Sequence, residues 1–427
     1  MPVAAEAPSP DHCSSDAARL LQDAGDKALA CLQCGMCGVV CPHAASVSPW
    51  PRKEMLWLAW GEQDRLHRDP DIWLCRDCGH CSQLCPRGAD PAAVMAVLRA
   101  AACRRLSGGL PSAGRPAWLE AWGLPLLGLA GWVLIWLIRF LQTGTWFPVV
   151  RTTPDASGIL FAALYPVGLI DAVFLLTTLG VLLILGRGAY RQRQAYAPAG
   201  KLLRLGPRTS ALSDLWAVLR DGLSGQDFAR CRLAEVVPET IPAEEKTTDD
   251  ALRTPPDADH HQRRGHILLT ASLLVLAAVS GYVAVGHWAG LLGWSWAFAT
   301  PLPQLNPIKL VANLAAFTLL LGLWHLWRRR HAEQRHRRLL PQGRRMLLLF
   351  FGITLSGLAA QWLRLAGMPA AYAVYTLHLA LVWALFAGLP WSPLAHLVYR
   401  TFALFHVRRY GRCRPHTFSA SSDAKDA

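Results

Sequence analysis

Six stretches of this chain stay apolar and nearly uncharged for about twenty residues, the length at which an α-helix crosses a bilayer. They cover residues 119–141, 158–186, 266–288, 308–327, 346–365 and 370–398. A run such as ILLTASLLVLAAVSGYVAV carries no charge over that thickness, which disfavours helices buried in a large soluble protein. Only 17% of the 427 residues are charged and 52% are hydrophobic, but these averages hide a change near residue 118. Before it, charged and apolar residues mix as in a soluble domain. The reading divides the chain into a soluble head (1–117), an additional first span with its loop (118–157), a membrane domain (158–410) and a disordered tail (411–427).

Basic residues orient the spans. The loop 187–265 carries 13 Lys and Arg, the loop 328–345 carries eight Arg, and the chain after residue 397 carries six Lys and Arg. Between the first two spans there is only Arg151, and 289–307 has no Lys or Arg. The positive-inside rule then puts the head and both termini in the cytoplasm of a multi-pass inner-membrane protein. The net charge of +14 is accounted for by this asymmetry. It is no sign of nucleic-acid binding, because the soluble part has no compact basic and aromatic patch. Trp146, Trp288, Trp294, Trp296 and Trp391 near span ends read as interfacial anchors. Within the long inner loop, Leu212, Leu215, Trp216, Leu219 and Leu223 have helical spacing, expected of an amphipathic helix on the membrane surface or against the head. Residues 237–259, rich in Pro, Glu, Asp and Thr, read as flexible.

The head carries eight cysteines in two copies of one spacing. Cys31, Cys34, Cys37 and Cys41 precede Pro42, and Cys75, Cys78, Cys81 and Cys85 precede Pro86. Each copy reads C-x2-C-x2-C-x3-C-P, the bacterial [4Fe–4S] pattern, in which the fourth cysteine ligates the other cluster. One cluster is therefore assigned to Cys31, Cys34, Cys37 and Cys85, the other to Cys75, Cys78, Cys81 and Cys41. Structural zinc needs only four ligands, and two unbroken four-cysteine runs exceed that. The N-terminal stretch lacks a basic start and an apolar core, so a reducing compartment is expected and disulfides are not. Cys13, Cys103, Cys231 and Cys413 are scattered and receive no role. His43 and His80 sit beside the cysteines, placed to tune potential through hydrogen bonds.

Ionisable residues inside spans read first as functional. His378 and His396 lie 18 residues apart in the sixth span, five turns of one helix, so they share a face about 27 Å apart. His266 and His287 bracket the third span, 21 residues and about 31 Å apart. Bis-histidine ligation of haem b needs two imidazoles at one depth on different helices. Depth matching pairs His266 with His396 on the inner side and His378 with His287 on the outer side. His325 is an alternative inner ligand, and for His287 a plain hydrogen-bonding role stands equally open. Asp171, read as mid-span in the second helix, is either a proton relay to a quinone or a packing residue.

Two family resemblances join these parts. CLQCGMCGVVCP and PRKEMLWLAWGEQDRLHRDPDIWLCRDCGHCSQLCP resemble the C subunit of heterodisulfide reductases, whose ferredoxin unit is all-helical. The segment YTLHLALVWALFAGLPWSPLAHLVYRTF resembles the last span of the respiratory nitrate reductase gamma subunit, whose two histidines ligate two haems. His378 and His396 fall on those positions, and His266 on the inner ligand. The histidine that family has ten residues further on is Leu276 here. The fusion is similar to the C subunits of quinone-interacting membrane-bound oxidoreductases. That resemblance implies flavin and iron–sulfur partner subunits, and electron exchange between the quinone pool and adenylylsulfate reductase.

The expected fold is all-α: a helical ferredoxin head with two [4Fe–4S] clusters and six spans holding one or two haems b. The expected role is electron transfer between soluble partners and quinone, with no other bond-making chemistry, because no Gly-rich nucleotide fingerprint is present. The alternatives are the membrane subunit of another heterodisulfide-reductase-like complex, a haem-free transporter with a redox-sensing head, and a membrane anchor with a zinc head.

Overall fold

The computed structural model describes residues 26–41, 43–44, 49–108, 117–148, 158–196, 210–224, 256–294, 304–334 and 341–410. Among them every regular element is helical and no strand occurs. The segment expected to be flexible (237–259, all but its last four residues) and the tail lie outside the described residues, as do Trp296 and the scattered Cys13, Cys231 and Cys413.

Among the described residues the head has five helices: α1 (Met36–Val39), α2 (Arg52–Ala59), α3 (Gln63–Arg68), α4 (His80–Gln83) and α5 (Pro91–Leu106). A 3-10 turn, Pro70–Trp73, leads into the second cysteine run. α5 starts where its sequence requires it. The Asp90 side chain accepts from Ala93 N at 3.3 Å, and Pro91 stands where no backbone donor is needed. Its buried Val94, Met95, Leu98 and Ala102 follow the three-and-four spacing of one helix face. They share the head's core with Met55, Leu58, Leu66, Ile72 and Trp73.

Six helices among the described residues are long and apolar enough to cross a membrane. They are α6 (Ala117–Thr143), α8 (Val167–Tyr196), α10 (Pro256–Leu291), α11 (Pro307–Gln334), α12 (Pro341–Leu365), and the segment Ala370–Tyr410, which contains α13 (Ala370–Gly388) and α14 (Ala395–Tyr410). Before α8 lies the single turn α7 (Phe161–Leu164), and between α8 and α10 lies α9 (Ala211–Ser224).

Two of these elements differ from expectation. Span six is not one helix. After Gly388 the sequence Leu-Pro-Trp-Ser-Pro tightens into a 3-10 turn at Leu389–Trp391, and Ser392 is extended before α14 begins. Pro390 and Pro393 each lack an N–H and constrain the preceding residue, so the α-helical ladder cannot pass. His378 on α13 and His396 on α14 therefore stand on separate helices, and the five-turn spacing that put them on one face does not apply. In span two, Pro166 resets the start: Tyr165 is extended and α8 begins at Val167. Asp171 consequently lies in the second turn of α8 instead of mid-span.

The chain forms two compact units. One contains Met1–Gly108, Arg187–Thr254 and His396–Ala427; the other contains Gly109–Gly186 and Pro255–Ala395. In the second unit, close helix crossings are made at glycine. A Cβ at Gly128 of α6 would meet Trp383 of α13 at 2.8 Å. A Cβ at Gly322 of α11 would come within 3.0 Å of Leu269 N on α10, and one at Gly265 within 2.9 Å of Leu326 Cγ. Small residues at such crossings let backbones approach, the usual packing device of membrane helices. Polar side chains add hydrogen bonds there: Ser272 with Thr318 at 2.7 Å, and Tyr165 with Thr376 at 2.9 Å and Trp132 O at 3.1 Å. Arg139 near the end of α6 donates to Ala163 O and Thr145 O, so its charge is hydrogen-bonded.

In the first unit, α9 buries Asp214, Ala217 and Val218 and exposes Leu212, Leu215, Trp216 and Leu219. Asp214 holds it to α14, with Arg408 at 3.3 Å and Arg409 at 3.4 Å. The apolar stripe read from its spacing thus faces away from its neighbours in the unit.

Candidate functional site

The two cysteine runs fold as two copies of one backbone. Gln33 and Asp77, one residue before the second cysteine of each run, both have φ 57°. Gly35 and Gly79, one residue after it, have φ 84° and 89°. That left-handed region suits glycine, and each glycine then starts a single helical turn, α1 or α4. The turn folds the run around its cavity.

The runs exchange their fourth cysteines. Cys31, Cys34, Cys37 and Cys85 line one cavity, together with Arg52 and Arg87. Cys41, Cys75, Cys78 and Cys81 line the other, together with His43, His80, Trp50 and Arg76. All eight cysteines are free thiols, and none is in a disulfide. Burial, helped by Cys31, Cys34 and Cys85, pushes the Cys37 thiol up to about 11. Burial, with Cys78 and Cys75 nearby, pushes Cys41 up to about 12. Four thiols packed this closely resist joint ionisation unless a cationic centre joins them, so the donor sets fit thiolate-bound iron. Sulfur-directed donors are already in place. Gln33 Nε2 lies 3.5 Å from Cys31 Sγ, Asp77 N 3.4 Å from Cys75 Sγ, and Ala89 N 3.3 Å from Cys85 Sγ. Such hydrogen bonds tune cluster potential.

Between the runs lies a charge cluster that sequence reading missed. Lys53 of α2 pairs with Asp69, with Asp71 at 2.8 Å, and with Glu54 at 3.6 Å, and all four residues are buried. Burial opposes the Lys53 charge, but Asp69, Glu54 and Asp71 outweigh it and hold the ammonium above its usual range. Burial, with Asp69 adding repulsion, raises the Glu54 carboxyl well above its usual range. Burial and Asp71 lift Asp69 to about 6. Neither Glu54 oxygen has a hydrogen-bond partner. One ammonium cannot balance three buried carboxylates, so Glu54 is the natural holder of a proton. Three carboxylate oxygens from Glu54, Asp69 and Asp71 lie within 4.8 Å of one another, and Lys53 supplies the cation among them. The cluster ties the helix after the first run to the turn before the second. Its members are far apart in sequence, and only a Lys-Glu pair followed by D-P-D hints at it.

The histidines fall on different elements. His266 follows Gly265 on α10, and His325 stands three residues after Gly322 on α11, so the glycine crossing brings both to one end of that helix pair. His287 is 21 residues along the unbroken α10 from His266. His378 of α13 packs against α12: Nδ1 is 3.0 Å from Ile353 O and 3.1 Å from Ser356 Oγ. A Cβ at Gly357 would come within 2.9 Å of the His378 ring, so glycine makes the room. Donating Nδ1–H to a carbonyl leaves Nε2 as the lone-pair nitrogen, the arrangement typical of a metal-ligating histidine. This chemistry fits a haem ligand at His378. His266 and His287 belong to the second compact unit and His396 to the first.

Residues 27–89 match the model of the 4Fe-4S dicluster domain. Residues 239–417 match the model of citrate utilization protein B. No curated protein and no solved structure matches the chain. The dicluster match covers all eight cysteines. The chain is thus an iron–sulfur protein whose head is joined to six helices of membrane-spanning length.

Proposed function

We propose that this chain is the membrane electron-transfer subunit of a quinone-linked oxidoreductase, carrying electrons between soluble flavin and iron–sulfur partner subunits and quinone in the bilayer. The observation that supports it most is two exchanged four-cysteine cavities in a chain with six helices of spanning length. Cys31, Cys34, Cys37 and Cys85 would hold one [4Fe–4S] cluster, and Cys75, Cys78, Cys81 and Cys41 the other. His266, His396 and His378 would hold haem b, with His287 the proposed fourth ligand on the outer side and His325 an alternative to either inner ligand, His266 or His396. These groups supply one-electron redox chemistry when bound. The chain's own residues would hold them and hydrogen-bond their ligands. Asp171, at the start of α8, is proposed to pass protons to or from quinone. The excess of basic residues in alternate loops supports a head facing the cytoplasm.

The resemblance of the whole fusion supports a partner in sulfur metabolism that works with adenylylsulfate reductase. The match of residues 239–417 favours a second reading, in which the partner acts in citrate utilization. Purification of the full chain from its native membrane separates them by the subunits that accompany it. The common core is tested by iron, sulfide and pyridine haemochrome analysis of the purified chain. About eight iron and eight sulfide per chain, with at least one haem b, are expected. Clusters without haem would favour a redox-sensing transporter. Zinc without sulfide would favour a structural head.

A further inference from the structure

The doubled backbone of the head allows a position-by-position comparison of the two runs, and they differ in what covers them. Two residues before the first cysteine stands Leu29 in the first run and Trp73 in the second. Leu29 is 61% exposed and Trp73 is 1% exposed. Two residues after the second cysteine stand Met36, 43% exposed, and His80, 2% exposed. Leu32 and Val39 are exposed as well, and so is Cys34. The first run thus presents an apolar surface with an exposed ligand cysteine in it, while the second buries Trp73 and His80 and exposes none of its own cysteines.

Trp73 is closed over by Tyr399 of α14, with ring centroids 6.1 Å apart. Tyr399 is itself fully buried and held on several sides. Its hydroxyl lies 2.9 Å from Ser107 Oγ, at the end of α5. Its carbonyl accepts from Gln192 Nε2 of α8 at 3.0 Å, and Gln192 also donates to Tyr196 at 2.8 Å. A Cβ at Gly188 would collide with the Tyr399 ring, so α8 supplies glycine there. Tyr399 stands three residues after His396 on the same helix, on neighbouring positions of one face. On the other side, Trp73 is two residues from Cys75, and Arg99 Nη1 donates to the Cys75 carbonyl at 3.3 Å. A packed ring pair therefore connects the backbone of a cluster ligand to the helix turn that carries His396.

We propose that electrons cross this protein in a fixed order: the Cys31/Cys34/Cys37/Cys85 site exchanges them with the soluble partner, and the Cys75/Cys78/Cys81/Cys41 site exchanges them with haem b at His396 through the Trp73–Tyr399 contact. This order rests on the proposed function above. Each transfer moves one electron: a reduced cluster returns to its oxidised state as ferric haem becomes ferrous, or the reverse when quinol is the donor. No bond forms and no proton is required. Trp73 and Tyr399 are positioning residues that supply the contact.

The test uses the full chain in lipid nanodiscs and has two arms. In the first, a soluble dysprosium chelate is added to the dithionite-reduced protein and relaxation of each cluster's EPR signal is measured. The signals are assigned with Cys34→Ser and Cys78→Ser, each altering or removing one of them. Stronger relaxation of the first cluster is expected, and stronger relaxation of the second would overturn the order. In the second arm, haem reduction is followed after photochemical reduction of the clusters. Trp73→Leu and Tyr399→Leu are expected to slow it by about tenfold or more, with cluster and haem contents and the haem spectrum unchanged. Tyr399→Phe, which keeps the ring, should restore the rate. Leu29→Ala, at the equivalent position of the other run, should leave it alone. Unchanged haem reduction in both leucine variants would overturn the contact's role. A preparation with clusters but no haem contradicts the proposed function and the haem step with it, while the dysprosium arm still decides which cluster faces solvent.

Discussion

At the scale of single residues, the head depends on charges that only the fold brings together. Lys53 neutralises buried Asp69 and Asp71. Lys53→Met leaves them without a cation, and a cost of about 3–5 kcal/mol is expected in thermal or denaturant unfolding of the head. Glu54→Gln should cost less than about 1 kcal/mol, because Gln resembles the protonated carboxyl that the buried site already favours. The two variants also differ in pH dependence. Glu54 holds its proton in the folded head and releases it on unfolding at pH above its ordinary value of 4.5. The folded state then binds more protons than the unfolded one, so this group makes stability fall as pH rises above that value. Glu54→Gln should flatten that slope, and an unchanged slope would contradict the assignment. Little of this cluster was legible in sequence, where a Lys-Glu pair at 53–54 and D-P-D at 69–71 look like ordinary surface charge. The cysteines were legible, because a cube of iron and sulfide fixes the spacing of its ligands regardless of what surrounds them. For His378, Ser356→Ala removes one partner of Nδ1 and leaves Ile353 O. With haem b held at His378 as proposed, a shift of its potential is expected, with haem retained, in a redox titration of the membrane.

At the scale of elements, hydrophobicity located four of the six spans to within three residues, but it placed span two about a third of a helix too early, ended span six twelve residues short, and showed none of the interruptions. Residue counting joined His378 and His396 on one helix face, whereas Pro390 and Pro393 divide that span. The same chemistry at Pro166 moved Asp171 to the start of α8. Both errors share a cause: a run can be apolar enough for lipid and still contain residues that cannot continue an α-helix. The helix α9 shows the converse. Its apolar spacing was legible, but its buried face is the one carrying Asp214, because two arginines at the end of α14 reach it. Asp214→Asn should cost about 1.5 kcal/mol and loosen α9, seen as faster hydrogen exchange over residues 211–224. The glycine crossing of α10 and α11 should tolerate bulk poorly. Gly322→Val, where a Cβ already meets Leu269 N at 3.0 Å, should cost about 1–3 kcal/mol of membrane-domain stability.

At the scale of the whole molecule, the proposed function makes one conductor of the parts. A head with two four-cysteine sites exposes a ligand cysteine and apolar residues at one run and buries Trp73 against Tyr399 at the other, and the helix bearing Tyr399 also bears His396. In that function electrons move between quinone and the head inside one polypeptide. The most direct measurement is to add a reduced quinol analogue to the anaerobic, oxidised full chain in nanodiscs and record optical and EPR spectra together. A haem b α-band followed by the EPR signal of reduced clusters, abolished by His396→Ala with clusters still present, is the expected result. Quinol that leaves both spectra unchanged, while dithionite reduces the clusters normally, would contradict the account.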